Sequence, residues 1–313
     1  MPEPVLTLFS TPKPFTDPHI AMIQKNAIRS WKQLGNRVEV VLIGEEAGVK
    51  QVAMELDVRF IPGVHRNEQG TPLISSMFEL ARKVNSSPLL GIINTDVIVF
   101  PELIYTCQKV ADQSDRFVLA GQRWDLKVDR PIQFKPDWVS KLKSELAAQG
   151  RRHPPAGSDY FIFPRACYSS MPDFAIGRAG WDNWMIFKAR WEHWKVIEAT
   201  EAINIIHQDH DYSHLPKGQT HHKVPETYEN VRLAGGKRTI FTLTDANYIL
   251  KDSKIHRKKL TFRLFWRKVE ICPIINLHSF TLGNITFGLL HPIRAYQEYR
   301  TSKSNSKRHL SVG

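Results

Sequence analysis

The sequence predicts an α/β fold: a mainly parallel central sheet with flanking helices, followed by a basic C-terminal extension. Three observations lead there. Short apolar, β-branched runs alternate with segments of helical periodicity through the first 120 residues. Runs such as Leu89 to Ile93 are apolar without interruption, as strands covered on both faces are. Charge is uneven: of the net +12, residues 251–313 hold 13 Lys and Arg against 3 acids, while the preceding 250 hold 30 against 28.

Each element follows from its own pattern. Val5 to Phe9 reads as a buried strand running into the loop Ser10-Thr11-Pro12. Ile20, Ile23, Ala27, Trp31 and Leu34 recur at helical spacing, and Gly35 ends that helix. Val38 to Ile43 is a second strand, Val49 to Leu56 a short helix and Val58 to Ile61 a third strand. Thr71, with Pro72 behind it, predicts an N-cap and a helix over Pro72 to Val84. Leu89 to Ile93 and Phe117 to Ala120 are the fourth and fifth strands. Beyond them, Tyr160 to Phe163, Val196 to Ala199 and Asn204 to Ile206 read as strands, Asp182 to Arg190 as a helix, and Gln208 to Lys223 as a long loop. The expected division is one domain over 1–250 and an extension over 251–313, its Ser- and Lys-rich last ten residues without fixed structure.

Composition narrows the class. A hydrophobic share of 42% and a charged share of 24% suit a globular chain with a sizeable core. Cys107, Cys167 and Cys272 are odd in number and far apart, which argues against a disulfide scaffold and for a reducing, cytoplasmic setting. The first residues show no leader pattern, and no run approaches the roughly 20 apolar residues of a spanning helix.

In a parallel sheet, ligands sit beyond the carboxyl ends of the strands. Three constellations fall there. Asn94-Thr95-Asp96 follows a fully apolar strand, and alternation sends Asn94 and Asp96 to one side. A carboxylate so placed needs a partner, and a divalent cation is one. Gly177 to Asn183 is a glycine-containing loop that brings Asp182 to a helix N-terminus, where the dipole favours its ionised form. Trp181 and Trp184 offer flat faces for a sugar ring. His207, His210 and His214 crowd one short stretch, and imidazole suits manganese or zinc. Their spacing is not that of a zinc-protease helix.

Taken in order, these constellations resemble the GT-A glycosyltransferases. Asn94-Thr95-Asp96 resembles their Asp-x-Asp motif, with Asn in place of the first Asp. The resemblance implies that Asp96 binds Mn2+ or Mg2+ and that Asn94 faces the donor's ribose. Gly177 to Asn183 is similar to the acceptor loop of inverting members, which implies Asp182 as catalytic base and Gly180, Trp181 and Asn183 as acceptor-binding residues. A downstream histidine completing the metal shell is implied at His207, with His210 as second choice. Thr11, Pro12 and Lys13 after the first strand, Arg66 and Glu68 after the third, and Arg123 after the fifth are expected to hold the nucleotide sugar. Asp159, in Gly157-Ser158-Asp159, is expected to face the acceptor. The implied activity is transfer of a sugar from a nucleoside-diphosphate sugar to a carbohydrate or lipid-linked hydroxyl.

The basic, aromatic stretch 251–268 suits an anionic membrane surface and also RNA or DNA, and with the lipid-linked acceptors that the resemblance implies, the inner face of a membrane is the expected partner. The alternatives are a nucleic-acid-binding α/β protein and a sugar-nucleotide pyrophosphorylase. The charge surplus lying outside the neutral body weighs against nucleic acid. Ser10-Thr11-Pro12-Lys13, which is not a glycine-rich phosphate loop, weighs against a pyrophosphorylase.

Overall fold

The computed structural model describes residues 3–209 and 224–310. The chain begins with β1 (Leu6–Ser10), α1 (Pro18–Lys32), β2 (Val38–Ile43), α2 (Val49–Glu55), β3 (Arg59–Ile61), α3 (Ile74–Arg82) and β4 (Leu89–Ile93). It continues with β5 (Val97–Val99), α4 (Glu102–Ala111), β6 (Phe117–Ala120), β7 (Trp124–Leu126), α5 (Trp138–Gln149), β8 (Arg151–Arg152) and β9 (Tyr160–Pro164). Then come α6 (Trp181–Trp191), β10 (Lys195–Glu198), β11 (Ile205–Gln208), α7 (Pro225–Leu233), β12 (Tyr248–Lys251) and β13 (Lys254–Arg257). The helices α8 (Phe262–Leu277), α9 (Phe280–Leu290) and α10 (Pro292–Leu310) follow. Two units result, residues 1–189 with 194–258 and residues 190–193 with 259–313.

In the first unit a nine-stranded sheet has the order β13-β12-β10-β6-β9-β4-β1-β2-β3. Its pairings are parallel except where β9 and β13 join. The apolar runs explain the core: Leu6, Leu8, Val40, Leu42, Leu89, Phe117 and Ile162 are buried on the strands, with Ala27, Ile28 and Trp31 of α1 against them. The reversal of β9 shapes the sheet's functional edge. Its first residue, Tyr160, stands opposite Ile93, the last of β4. The loop before β9 therefore arrives at the carboxyl ends of the parallel strands.

A second sheet, β5-β11-β7-β8, sits behind the loop after β4. Its register aligns His207 with Asp125 on one side and with Val97 on the other. Residues paired across a ladder face the same side. Register thus sets His207 beside Asp125, while Asp96 lies in the turn immediately before Val97, the partner of His207 on its other side.

Several expectations are corrected. The helix expected from Pro72 starts at Ile74, and Thr71 does not cap it. Pro72 forms a bridge with Arg66 and Leu73 one with Ala175, so the backbone there is extended. His207 lies within β11 and is not the first residue after it. The sheet continues through β13, so residues 251–257 belong with it and the boundary expected at 250 falls inside β12. Helix α10 runs to Leu310, through most of the end expected to lack structure.

Polar side chains inside α1 tie the two sheets. Gln24, Asn26 and Ser30 are buried on a face that otherwise reads as apolar. Asn26 Nδ2 donates to Gln208 Oε1 (3.1 Å) and Arg130 O (3.0 Å), and its Oδ1 accepts from Ile132 N (2.9 Å). Gln208 Nε2 in turn donates to Ile23 O (2.8 Å) and Asp96 O (3.1 Å). Removing one member strands the others without water. Asn26→Ala is expected to cost about 2–4 kcal/mol, read as a lower midpoint in urea unfolding at unchanged slope.

The second unit is a helical hairpin with a third helix. Thr261 caps α8 by accepting from Leu264 N (3.2 Å), and Ser279 caps α9 by accepting from Leu282 N (3.2 Å). Ile271, Ile274 and Ile275 of α8 and Gly283 and Phe287 of α9 are buried. A Cβ at Gly283 would run into the Ile274 side chain, so the two helices meet there at backbone distance.

Candidate active site

The ends of β1 and β4, the loop before β9 and the loop 176–182 surround a cleft of about 580 Å³. Thr11, Pro12, Lys13, Arg66, Asn94, Asp96, Arg123, Asp159, Trp181, Asp182 and His207 all line it. Glu68, Gly180 and Asn183 do not, and His210 lies outside the described residues.

Those three departures have local causes. Glu68 sits on an exposed turn that Asn67 organises, its Oδ1 accepting from Gln69 N (3.1 Å) and Thr71 N (2.8 Å). Gly180 has φ of 111°, a conformation that glycine supplies without strain just before α6, and it shapes the loop while its backbone faces α7. Asn183, one step round the helix from Asp182, turns away and donates to Phe241 O (2.7 Å). Trp181 is 6% exposed and meets Phe161 edge-on, and Trp184 is buried against Phe174, so neither offers the open face expected for a sugar.

The cleft's charged groups are arranged in pairs. Lys13 is held by its backbone: Gln24 Oε1 accepts from Lys13 N (2.7 Å) and Gln24 Nε2 donates to Lys13 O (3.0 Å). Thr95 Oγ1 donates to the same Gln24 Oε1 (2.9 Å), so one amide fixes both the Lys13 and Asp96 loops. Burial pushes the Lys13 ammonium down, against the pull of Asp96. Arg66 pairs with Glu46 (2.7 Å). Arg123 reaches both oxygens of Asp159 (2.9 Å each) and Asp125 Oδ1 (2.8 Å), so its fork is engaged by carboxylates rather than open for phosphate. Asn94 Nδ2 also donates to Asp159 Oδ1 (2.8 Å).

His207 stands between two acids. Its Nε2 is 3.7 Å from Asp96 Oδ2 and its Nδ1 is 3.5 Å from Asp125 Oδ1. Burial alone would lower the imidazole pKa, but Asp125 and Asp96 outweigh it and the pKa rises. Burial would likewise raise Asp125. Contacts from His207, His153 (Nδ1 at 3.0 Å) and Arg123 instead hold its carboxyl well below the usual range. Two ligands of one cation stand about 3–4 Å apart when each bond is near 2.1 Å. The Asp96–His207 separation fits that span, and a hard oxygen with an imidazole suits manganese. A second grouping, Asp125, His207 and Asp209, has one donor atom from each within 4.8 Å of the others.

Asp182 faces the cleft from the first turn of α6. Its Oδ1 is shut off from solvent and accepts no hydrogen bond among the described residues. Burial pushes the carboxyl up to about 6, although the backbone amides of Asn183 and Gly180 approach it and act the other way. The preceding loop is held by Asn230 of α7, which accepts from Ala175 N (2.9 Å) and donates to Ala175 O (3.0 Å). Glu226 adds a contact to Arg178 (2.6 Å).

Sequence reasoning missed Asp125, Gln24 and Asn230. Asp125 lies in a three-residue strand, too short for a periodicity to show. Gln24 carried a signal, a polar residue beside Ile23 on the inner face of α1. Asn230 had none.

No protein-family model and no curated protein matches the chain. Among solved structures it is similar to glucosyl-3-phosphoglycerate synthase of M. tuberculosis, at 13% identity over 82% of this chain and 88% of that one, with a TM-score of 0.48. It is also similar to S. aureus TarS 1-349 in complex with UDP-GlcNAc, at 12% identity over 73% and 65% of the two chains (TM-score 0.45). A third is the mannosyltransferase PcManGT of Pyrobaculum calidifontis in complex with GDP-Man and Mn2+, at 14% identity over 68% and 59% (TM-score 0.42). These values describe likeness in chain path alone, and the functional reading rests on the cleft itself.

Proposed function

We propose that the chain is a metal-dependent glycosyltransferase of GT-A type, moving a sugar from a nucleoside-diphosphate sugar to an acceptor hydroxyl with inversion. One observation carries this reading: Lys13, Asp96, His207 and Asp182, far apart in sequence, line a single cleft at the strand ends.

In this reading Thr11, Pro12, Lys13 and Arg66 receive the nucleotide, with Lys13 set against the diphosphate. Asp96 and His207 hold the divalent cation, which when bound neutralises charge on the departing diphosphate. Asp125 positions His207 from the Nδ1 side, as the outer partner of a ligating histidine does. Arg123 and Asn94 fix Asp159, leaving that carboxylate at the acceptor end. Asp182 takes the proton from the acceptor hydroxyl as its oxygen bonds to the anomeric carbon and the bond to the diphosphate oxygen breaks. A carboxylate of pKa about 6 is ionised at neutral pH and more basic than one in water. Attack from the face opposite the leaving group inverts the anomeric centre. The acceptor in this reading is a carbohydrate or lipid-linked hydroxyl, met at the cytoplasmic face of an anionic membrane.

The grouping of Asp125, His207 and Asp209 supports a second placement of the cation. Asp125 is at the same time engaged by Arg123 and His153, and Asp209 by Arg151 (3.1 Å).

A thermal-shift series tests the reading. UDP or GDP with Mn2+ is expected to raise the melting point by several degrees, and either nucleotide without metal by much less. No shift with any nucleoside diphosphate and Mn2+ would remove the basis for a nucleotide-sugar donor.

A further inference from the structure

Twelve of the sixteen exposed large apolar side chains among the described residues lie between Leu260 and Tyr299, so the apolar surface is concentrated in one short stretch. It is patterned. On α8, Phe262, Phe265, Trp266 and Val269 recur at the i, i+3, i+4, i+7 spacing of a single stripe. The side of α8 that is buried carries Ile271, Ile274 and Ile275, opposite that stripe on the helical wheel. On α9, Leu282, Ile285 and Leu289 form a second exposed stripe, and the helix contains no charged residue. Leu289 is 78% exposed and Phe262 79%. A helix apolar on both its packed and its solvent side has its outer side covered by something else.

We propose that α8 and α9 lie in the interface of an anionic lipid bilayer, with their exposed stripes in the acyl boundary. Charge selects this occupant. Residues 259–313 hold nine Lys and Arg against two acids. Arg263 and Lys268 fall at the two edges of the α8 stripe, and Arg294 and Arg300 accompany Ile293, Tyr296 and Tyr299 on α10. Basic residues bordering an apolar stripe meet anionic headgroups while the stripe sinks below them. A second copy of the chain would bring the same positive surplus against itself and be repelled. Trp266, Tyr296 and Tyr299 are side chains that favour the headgroup level. The helices lie in the membrane and do not span it: the 11 residues of α9 reach about 16 Å, against about 30 Å of hydrocarbon. No helix among the described residues is long and apolar enough to cross. This surface keeps residues 262–268 of the stretch expected over 251–268 and extends it to α9, while Lys251, Lys254 and Arg257 lie on the β12–β13 hairpin and Lys258 pairs with Glu198.

The test needs no sugar donor and is independent of the transferase reading. The full chain is floated with vesicles of phosphatidylcholine alone and of phosphatidylcholine with phosphatidylglycerol, at low and high salt. Sedimentation velocity without lipid runs in parallel. Binding to the anionic vesicles is expected, weakening with salt. The doubly substituted chain Phe265→Gln, Trp266→Gln is expected to lose roughly tenfold or more in partitioning. Both side chains are exposed, and an unchanged circular dichroism melt confirms that the variant folds. A second variant on α9, Ile285→Gln with Leu289→Gln, is expected to show a loss of the same order. Equal partitioning onto both vesicle types, unchanged partitioning of both variants, or a stable dimer that ignores vesicles would overturn the proposal.

Discussion

Asp182→Asn is expected to lower turnover by about 10²–10⁴-fold while nucleotide-dependent stabilisation stays at the wild-type level. Asparagine keeps the shape of the side chain and its place at the start of α6, but it cannot accept the acceptor's proton. The pH profile adds an independent readout. The base works in its deprotonated form, so turnover at saturating metal is full above a pKa of about 6 and falls about tenfold per unit below it. The residual activity of the variant should lack that acidic limb. Wild-type turnover in the variant, or an unchanged limb, would remove Asp182 from the role.

The second large effect is expected at Asp96. Asp96→Asn should leave the fold intact, since the isosteric change keeps the contacts from Gln208 Nε2 to Asp96 O and from Thr95 to Gln24. It should abolish the Mn2+ dependence of nucleotide binding and lower turnover by about two orders of magnitude or more. Asp125→Asn is expected to do less, weakening Mn2+ affinity about 10–100-fold by releasing the Nδ1 side of His207. If Asp125→Asn proves the more severe and Asp96→Asn the milder, the cation belongs with Asp125 and Asp209.

Periodicity made much of the large sheet legible. Val38 to Ile43, Leu89 to Ile93 and Phe117 to Ala120 are strands with the predicted limits, because each is a largely apolar run, broken only by Glu39, and long enough to be read. The small sheet was not legible. Its strands β5, β7 and β8 are two or three residues long, and they exist because the ladder through β11 closes around them. That sheet is what sets Asp125 beside His207, so the missing half of the site was hidden with it. The tryptophans were read for a ligand alone, but a Trp next to a functional loop is as useful to the core: Trp181 packs on Phe161 while it lines the cleft, and Trp184 packs on Phe174. The basic stretch was read as one surface, whereas a hairpin and a helix divide it, and only the helix carries an apolar stripe.

In the proposed function, Asp96 and His207 hold one cation in the same cleft that Asp182 faces. Anomalous diffraction at the manganese edge, from crystals soaked with Mn2+ and UDP, measures this directly. One strong peak at the Asp96 carboxylate and His207 Nε2 is expected, with the diphosphate between it and Lys13. A peak between Asp125 and Asp209, or none in the cleft, would contradict it.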